Sequence, residues 1–84
     1  MILKFRHKGL KRLFENGDHR GVNPMLAEAI DMVLDMLDEA YGPEAVNVHG
    51  YRLGQWSMTI SGNWRIVFEF EGKDVTNVDL VDYH

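Results

Sequence analysis

The spacing of apolar residues near the start of the chain predicts a short amphipathic helix. Leu10, Leu13 and Phe14 lie three and four positions apart, so they share one face of a helix over His7–Asn16. A glycine follows directly and is a natural helix stop. The short segment before this helix, residues 1–5, is the candidate for a first strand.

A second, longer helix is predicted over Pro24–Tyr41. Asn23 is a favourable N-cap, and Pro24 suits the first helical position because its φ angle is already close to the helical value. The acidic residues of this helix are Glu28, Asp31, Asp35, Asp38 and Glu39. They fall within one arc of about 100°, which leaves an apolar arc of about 200°. That arc is wider than packing against one face of a sheet requires.

One side of this apolar arc consists mainly of methionine, with Met25, Met32 and Met36 beside Ala29. Two interpretations are open. The methionine side packs on the first helix, or it forms a surface for a partner protein, where flexible methionine side chains are common. The second interpretation makes the three methionines candidate partner contacts.

After about residue 46 the apolar residues alternate with polar ones, as in strands with one polar face. Turn sequences at 61–63 and 72–74 divide this region into three antiparallel strands. The order of elements is then β-α-α-β-β-β. It predicts an α+β fold in which two N-terminal helices pack on one face of a small antiparallel sheet.

A further hairpin is predicted around Gly54-Gln55, because Gly-X between two strand-like segments is typical of a type II′ turn. In that register Leu53 faces Trp56 across the hairpin. Leu53 and Tyr51 then point towards the core. Arg52 lies on the outward face, on the same side as Arg65.

Length and composition indicate one globular domain over residues 1–84, with 45% hydrophobic residues and two prolines. The net charge of −4 is unevenly distributed, since residues 1–20 sum to +4 and residues 21–84 to −8. The basic segment either contacts a polyanion or pairs with the acidic remainder or an acidic partner.

A cytoplasmic location without membrane contact is expected. The basic N-terminus has no secretory signal, and no stretch approaches the roughly 18 apolar residues of a membrane span. The absence of cysteine fits a reducing compartment. The four histidines are dispersed along the chain, so we expect neither a metal site nor a cofactor.

Three motifs follow one another along nearly the whole chain. They are Phe5-x-His7-Lys8-Gly9-Leu10-Lys11-x-Leu13-Phe14-Glu15-x-Gly17, Trp56-Ser57-x-Thr59-Ile60-Ser61-Gly62-Asn63-Trp64-Arg65-Ile66 and Val81-Asp82-Tyr83-His84. Together they resemble the HigB branch of the RelE/ParE toxin superfamily. One such motif alone is weak, whereas three in the same order are a specific resemblance.

The resemblance implies a RelE-like fold and a ribosome-dependent endoribonuclease, an mRNA interferase that arrests translation. It also implies a helix-turn-helix antitoxin of the HigA type, with operator DNA bound only through the toxin–antitoxin complex. The gyrase-directed activity of the ParE branch is disfavoured, because the Asp-Tyr-His ending is HigB-like.

Candidate site residues follow from the chemistry of RNA cleavage, which requires proton transfer and stabilisation of charge on the phosphate. His84 is a candidate acid or base, and Arg65 a bidentate phosphate ligand. Tyr83 either stacks on a base or donates a proton. The alternative for Arg65 is a solvated charge with an acidic neighbour. The candidate RNA-binding residues are Arg52, Lys8 and Arg12.

The sequence departs from the family after Leu53. The family usually continues there with His-x-Leu-Lys-Gly-x-Arg, whereas this chain runs directly into Gly-Gln-Trp-Ser. Three alternatives are open. The chain is a weakened or non-catalytic module that acts by antitoxin binding and operon autoregulation. Or Arg52, Arg65 and His84 suffice for cleavage, or the natural chain retains the basic stretch.

Overall fold

The structure is a computed structural model that describes residues 1–42, 44 and 49–82. In these ranges it has two α-helices, a short 3₁₀-helix and four strands, which confirms the predicted α+β class. The elements are α1 (Lys8–Asn16), the 3₁₀-helix (His19–Gly21), α2 (Ala27–Glu39), β1 (His49–Gly50), β2 (Trp56–Ser61), β3 (Trp64–Glu71) and β4 (Asp74–Asp82).

The strands form one antiparallel sheet in the order β1-β2-β3-β4. Tight turns connect β2 to β3 and β3 to β4, at the two places where the sequence predicts them. The first five residues are not a regular strand. They make isolated parallel bridges to β4, from Ile2 to Val75 and from Phe5 to Val78. The ladder is interrupted between these bridges, where Asn77 of β4 has a φ angle of 54°.

The first helix closely matches its prediction. His7 caps it, because the Nδ1 atom of His7 accepts the backbone N–H of Leu10 at 3.2 Å. Gly17 ends it with a φ angle of 67°, a left-handed conformation that glycine adopts at little cost.

The second helix is shorter than predicted at both ends, since it spans Ala27–Glu39. The side-chain oxygen of Asn23 accepts the backbone N–H of Met25 at 2.9 Å, which forms a local turn instead of a regular N-cap. Residues 24–26 are therefore a turn that leads into α2.

Both helices contribute to one hydrophobic core with the sheet. Its fully buried members are Leu10 of α1, Ile30, Leu34 and Leu37 of α2, and Ile66, Phe68, Val75 and Val78 of the sheet. We call the sheet face that carries Ile66 and Phe68 the inner face, and the opposite one the outer face.

The 3₁₀-helix packs against α1 through a direct contact between the backbones of Gly21 and Gly9. A Cβ atom added at Gly9 would lie 2.2 Å from the carbonyl oxygen of Gly21, and one added at Gly21 would lie 2.6 Å from the Cα atom of Gly9. The 3₁₀-helix can approach α1 this closely only because neither position has a side chain.

The predicted register of the first hairpin is wrong. Gly50, not Leu53, pairs with Trp56, and the backbone N–H of Gln55 donates to the carbonyl of Arg52 at 2.8 Å. Gly54 is thus the third residue of the turn, with a φ angle of 78°, as a type II turn requires. As a result Leu53 is fully exposed at the tip rather than turned to the core.

Candidate active site

The pairing of β1, β2 and β3 places polar side chains together on the outer face. Ser57 and Thr59 are alternate residues of β2, so they point to the same side. His49 lies directly opposite Ser57. Arg65 lies directly opposite Thr59. Because opposed residues of an antiparallel pair share a face, all four belong to one surface.

This surface forms an open groove of about 410 Å³, which we call the outer-face groove. Its lining residues are His49, Gly50, Tyr51, Ser57, Thr59 and Arg65. Ser57 is buried, whereas His49 and Thr59 are exposed. In the part of the chain that the structure describes, His, Asp and Glu side chains do not gather in threes as a metal site would require.

Arg65 lines the groove and is hydrogen-bonded to β2. Its Nη1 atom donates a hydrogen bond to the Oγ1 atom of Thr59 at 2.9 Å. Arg65 is half-buried, and Thr59 is the residue directly opposite it on β2. The guanidinium of Arg65 therefore lies above β2.

Arg52 lies at the edge of the same groove. Its guanidinium is 5.6 Å from the centroid of the Tyr51 ring, a cation–π distance, and Tyr51 lines the groove. Arg52 is exposed, so its charge faces solvent beside Tyr51.

The other predicted site residues are distributed differently. Tyr83 and His84 lie outside the described residues; Asp82, the residue before them, pairs with Trp64 beside Arg65. Lys8 and Arg12 are exposed on α1 and do not line the groove.

Arg20, a basic residue of the 3₁₀-helix, is hydrogen-bonded within the molecule. Its Nε and Nη2 atoms each lie 3.0 Å from a carboxylate oxygen of Asp18. These hydrogen bonds from Arg20 lower the pKa of Asp18 to about 2. Asp18 therefore remains charged at neutral pH and offsets the charge of Arg20.

Residues 3–84 match the protein family described as "RelE-like toxin of type II toxin-antitoxin system HigB". The chain belongs to this toxin family. Endoribonuclease HigB of Proteus vulgaris is 38% identical to the toxin over 92 aligned positions, which cover the whole of both chains. The resemblance inferred from the three motifs is thereby confirmed.

The alignment also bears on the predicted departure after Leu53. It spans 92 positions and the toxin has 84 residues, so at least eight positions have no counterpart in the toxin. A missing basic stretch after Leu53 would account for a difference of this size. The turn over 52–55 closes the hairpin without that stretch.

Four side chains of the groove were not predicted as site residues from the sequence, namely His49, Tyr51, Ser57 and Thr59. The alternation of β2 was sufficient to place Thr59 on the polar face. Tyr51 was wrongly predicted to point towards the core, and His49 was not recognisable. Both orientations depend on the turn at 52–55, and the predicted hairpin paired Trp56 with Leu53 instead of Gly50.

The methionine side of the second helix region is a separate surface of the toxin. Met25 is 90% exposed, Met32 60% and Met36 40%, so the interpretation that they pack on α1 is wrong. We call these three residues the methionine surface. Acidic residues of α2, among them Asp35 and Glu39, are exposed beside it. No helix in the described ranges is long and apolar enough to cross a membrane.

Proposed function

We propose that the toxin is an endoribonuclease that cleaves mRNA on the ribosome, with the outer-face groove as its active site. The observation that carries this proposal is Arg65, which the hydrogen bond to Thr59 holds on an open polar groove. The name of the Proteus vulgaris relative, Endoribonuclease HigB, supports the same reaction class.

Arg65 binds the scissile phosphate in this proposal. A guanidinium presents paired N–H donors to two phosphate oxygens, and it stabilises the charge that grows on them in the transition state. His84 transfers a proton, and Tyr83 stacks on a base or donates a proton. Their connection through Asp82 to the strand beside Arg65 supports assigning them to the same site.

Arg52, Lys8 and Arg12 contact RNA away from the reacting phosphate. Arg52 is exposed at the edge of the groove, and the other two are exposed on α1 within the basic part of the chain. A net charge of −4 opposes tight binding to free RNA. Recognition of mRNA within the ribosome, where other contacts hold the toxin, fits this charge better.

The methionine surface is where we place the antitoxin, a helix-turn-helix protein of the HigA type. Exposed methionines adapt to an apolar partner surface, and binding there removes them from water. Operator DNA is contacted only through the resulting complex. We further infer a single RelE-like domain over residues 1–84, with both helices over the inner face, that acts in the cytoplasm.

A second candidate function rests on the shortened hairpin. Without the basic stretch, the toxin has fewer cations to place against RNA. It would then be a weakened or non-catalytic module that acts by antitoxin binding and operon autoregulation.

Controlled expression of the toxin in bacteria separates the two functions. We expect growth arrest and new 5′ ends within translated transcripts, both abolished by Arg65→Ala, because the phosphate loses its ligand. Normal growth and intact transcripts, with soluble toxin confirmed by immunoblot, would contradict cleavage and favour the second function.

A further inference from the structure

The outer-face groove contains a histidine that the proposed function leaves unused. His49 is exposed on β1 and lines the groove together with Thr59 and Arg65. Its place on this face is fixed independently by strand pairing, since it lies opposite Ser57. Of the described residues that line the groove, His49 is the one with an imidazole side chain.

The arrangement of the strands brings His49 close to the phosphate-binding position. The Arg65 guanidinium is hydrogen-bonded to Thr59 and therefore lies above β2. β1 is the next strand, and His49, which lies opposite Ser57, is a diagonal neighbour of Thr59 at a distance of about 7–8 Å. A phosphodiester bound by Arg65 therefore has its neighbouring ribose within reach of a side chain on β1.

We propose that His49 is a catalytic residue that accepts the proton of the RNA 2′-hydroxyl. This inference rests on the proposed function and deepens it. Neutral imidazole takes the proton from the 2′-oxygen as that oxygen forms a bond to phosphorus. The bond from phosphorus to the 5′-oxygen breaks, and His84 protonates the leaving oxygen. The products are a 2′,3′-cyclic phosphate and a free 5′-hydroxyl.

Imidazole is suited to this step because it changes its charge between pH 5 and 8. The other titratable or charged side chains that line the groove with His49 are Tyr51 and Arg65. The facing residues of β2, Ser57 and Thr59, are hydroxyl side chains. General base catalysis requires the neutral form of an imidazole.

The test is single-turnover cleavage of a defined mRNA on programmed ribosomes by the full-length toxin, measured between pH 5.5 and 8.5. We expect His49→Gln to lower the rate by about 10²-fold or more and to remove the part of the profile in which the rate rises with pH. Added imidazole should restore part of the rate of His49→Ala. The matched control is His19→Gln, an exposed histidine on the 3₁₀-helix outside the groove, which should change the rate less than about twofold.

The outcomes separate this inference from the proposed function. If the wild-type toxin cleaves and His49→Gln retains the rate and its rise with pH, the inference alone is overturned. If the rate falls but the pH profile keeps its shape and imidazole has no effect, His49 is not the base. If the wild-type toxin cleaves nothing, the proposed function fails as well.

Discussion

At the scale of single residues, the hydrogen bond from Arg65 to Thr59 is the contact that gives the groove its chemistry. An arginine side chain has several rotatable bonds, and fixing it costs conformational entropy each time it binds a ligand. The 2.9 Å bond to the Thr59 hydroxyl fixes much of that freedom in advance.

Replacement of Thr59 by valine tests this preorganisation. The two side chains have the same shape, but valine has no hydroxyl to accept the Arg65 hydrogen bond. If losing this hydrogen bond raises the activation free energy by about 1–1.5 kcal/mol, cleavage in a single-turnover assay becomes roughly tenfold slower. Thr59→Ser keeps the hydroxyl and should remain near the wild-type rate. Equal rates for the valine and serine variants would show that the bond does not matter.

The sequence was sufficient to place Arg65 on the polar face but not to predict its partner. Alternation along β3 determines the face on which a side chain lies. The partner depends on register, and β2 has an irregularity between Thr59 and Ser61 that shifts the pairing by one residue. No simple alternation rule predicts such a bulge. The proposed roles of Tyr83 and His84 stay predictions, because both lie outside the described residues.

At the scale of elements, short connections control where the site residues point. The turn over 52–55 orients Tyr51 towards the groove and exposes Leu53. Similarly, the side chain of Asn23 makes residues 24–26 a turn instead of a first helical turn. The sequence predicted both the first hairpin and the second helix, but the predicted hairpin register and the predicted start of the helix were wrong. In each case a local hydrogen bond competes with the regular element, and sequence periodicity does not reveal that competition.

The contact between α1 and the 3₁₀-helix predicts that Gly9→Ala is destabilising. The new methyl group would lie 2.2 Å from the Gly21 carbonyl oxygen, so one backbone segment must move. We expect urea unfolding to show a loss of about 2 kcal/mol, even though alanine favours a helix by about 1 kcal/mol. The control is Gly50→Ala, which meets no atom within 4 Å and should change stability by less than about 0.5 kcal/mol. Equal stability of the two variants would contradict the contact.

The methionine surface predicts a selective effect on antitoxin binding. Met32→Gln keeps the length of a side chain that is already 60% exposed, so the stability of the toxin should change little. Affinity for the antitoxin encoded beside the toxin gene, measured by calorimetry, should fall about tenfold or more because apolar burial is lost. Leu53→Gln removes a fully exposed apolar side chain elsewhere and should leave the affinity unchanged. An unchanged affinity for Met32→Gln would move the antitoxin to another surface.

At the scale of the whole molecule, the uneven charge is the feature most relevant to function. Residues 1–20 carry an excess of +4, while the whole chain has −4. A molecule of this kind is repelled by free RNA at long range but can attach through a local basic surface. The fold class and the family followed from hydrophobic periodicity and three motifs. The groove did not, because it is assembled from strands that only the tertiary pairing brings together.

Ribosome-dependent cleavage is the most direct test of the proposed active site. Purified toxin is incubated with a defined mRNA, alone and on translating ribosomes, and new 5′ ends are mapped by primer extension. We predict cleavage within the coding region only when ribosomes are present, and a loss of about 10²-fold or more in rate for Arg65→Ala. Intact mRNA on ribosomes, or cleavage that Arg65→Ala leaves at the wild-type rate, would contradict an active site in the outer-face groove.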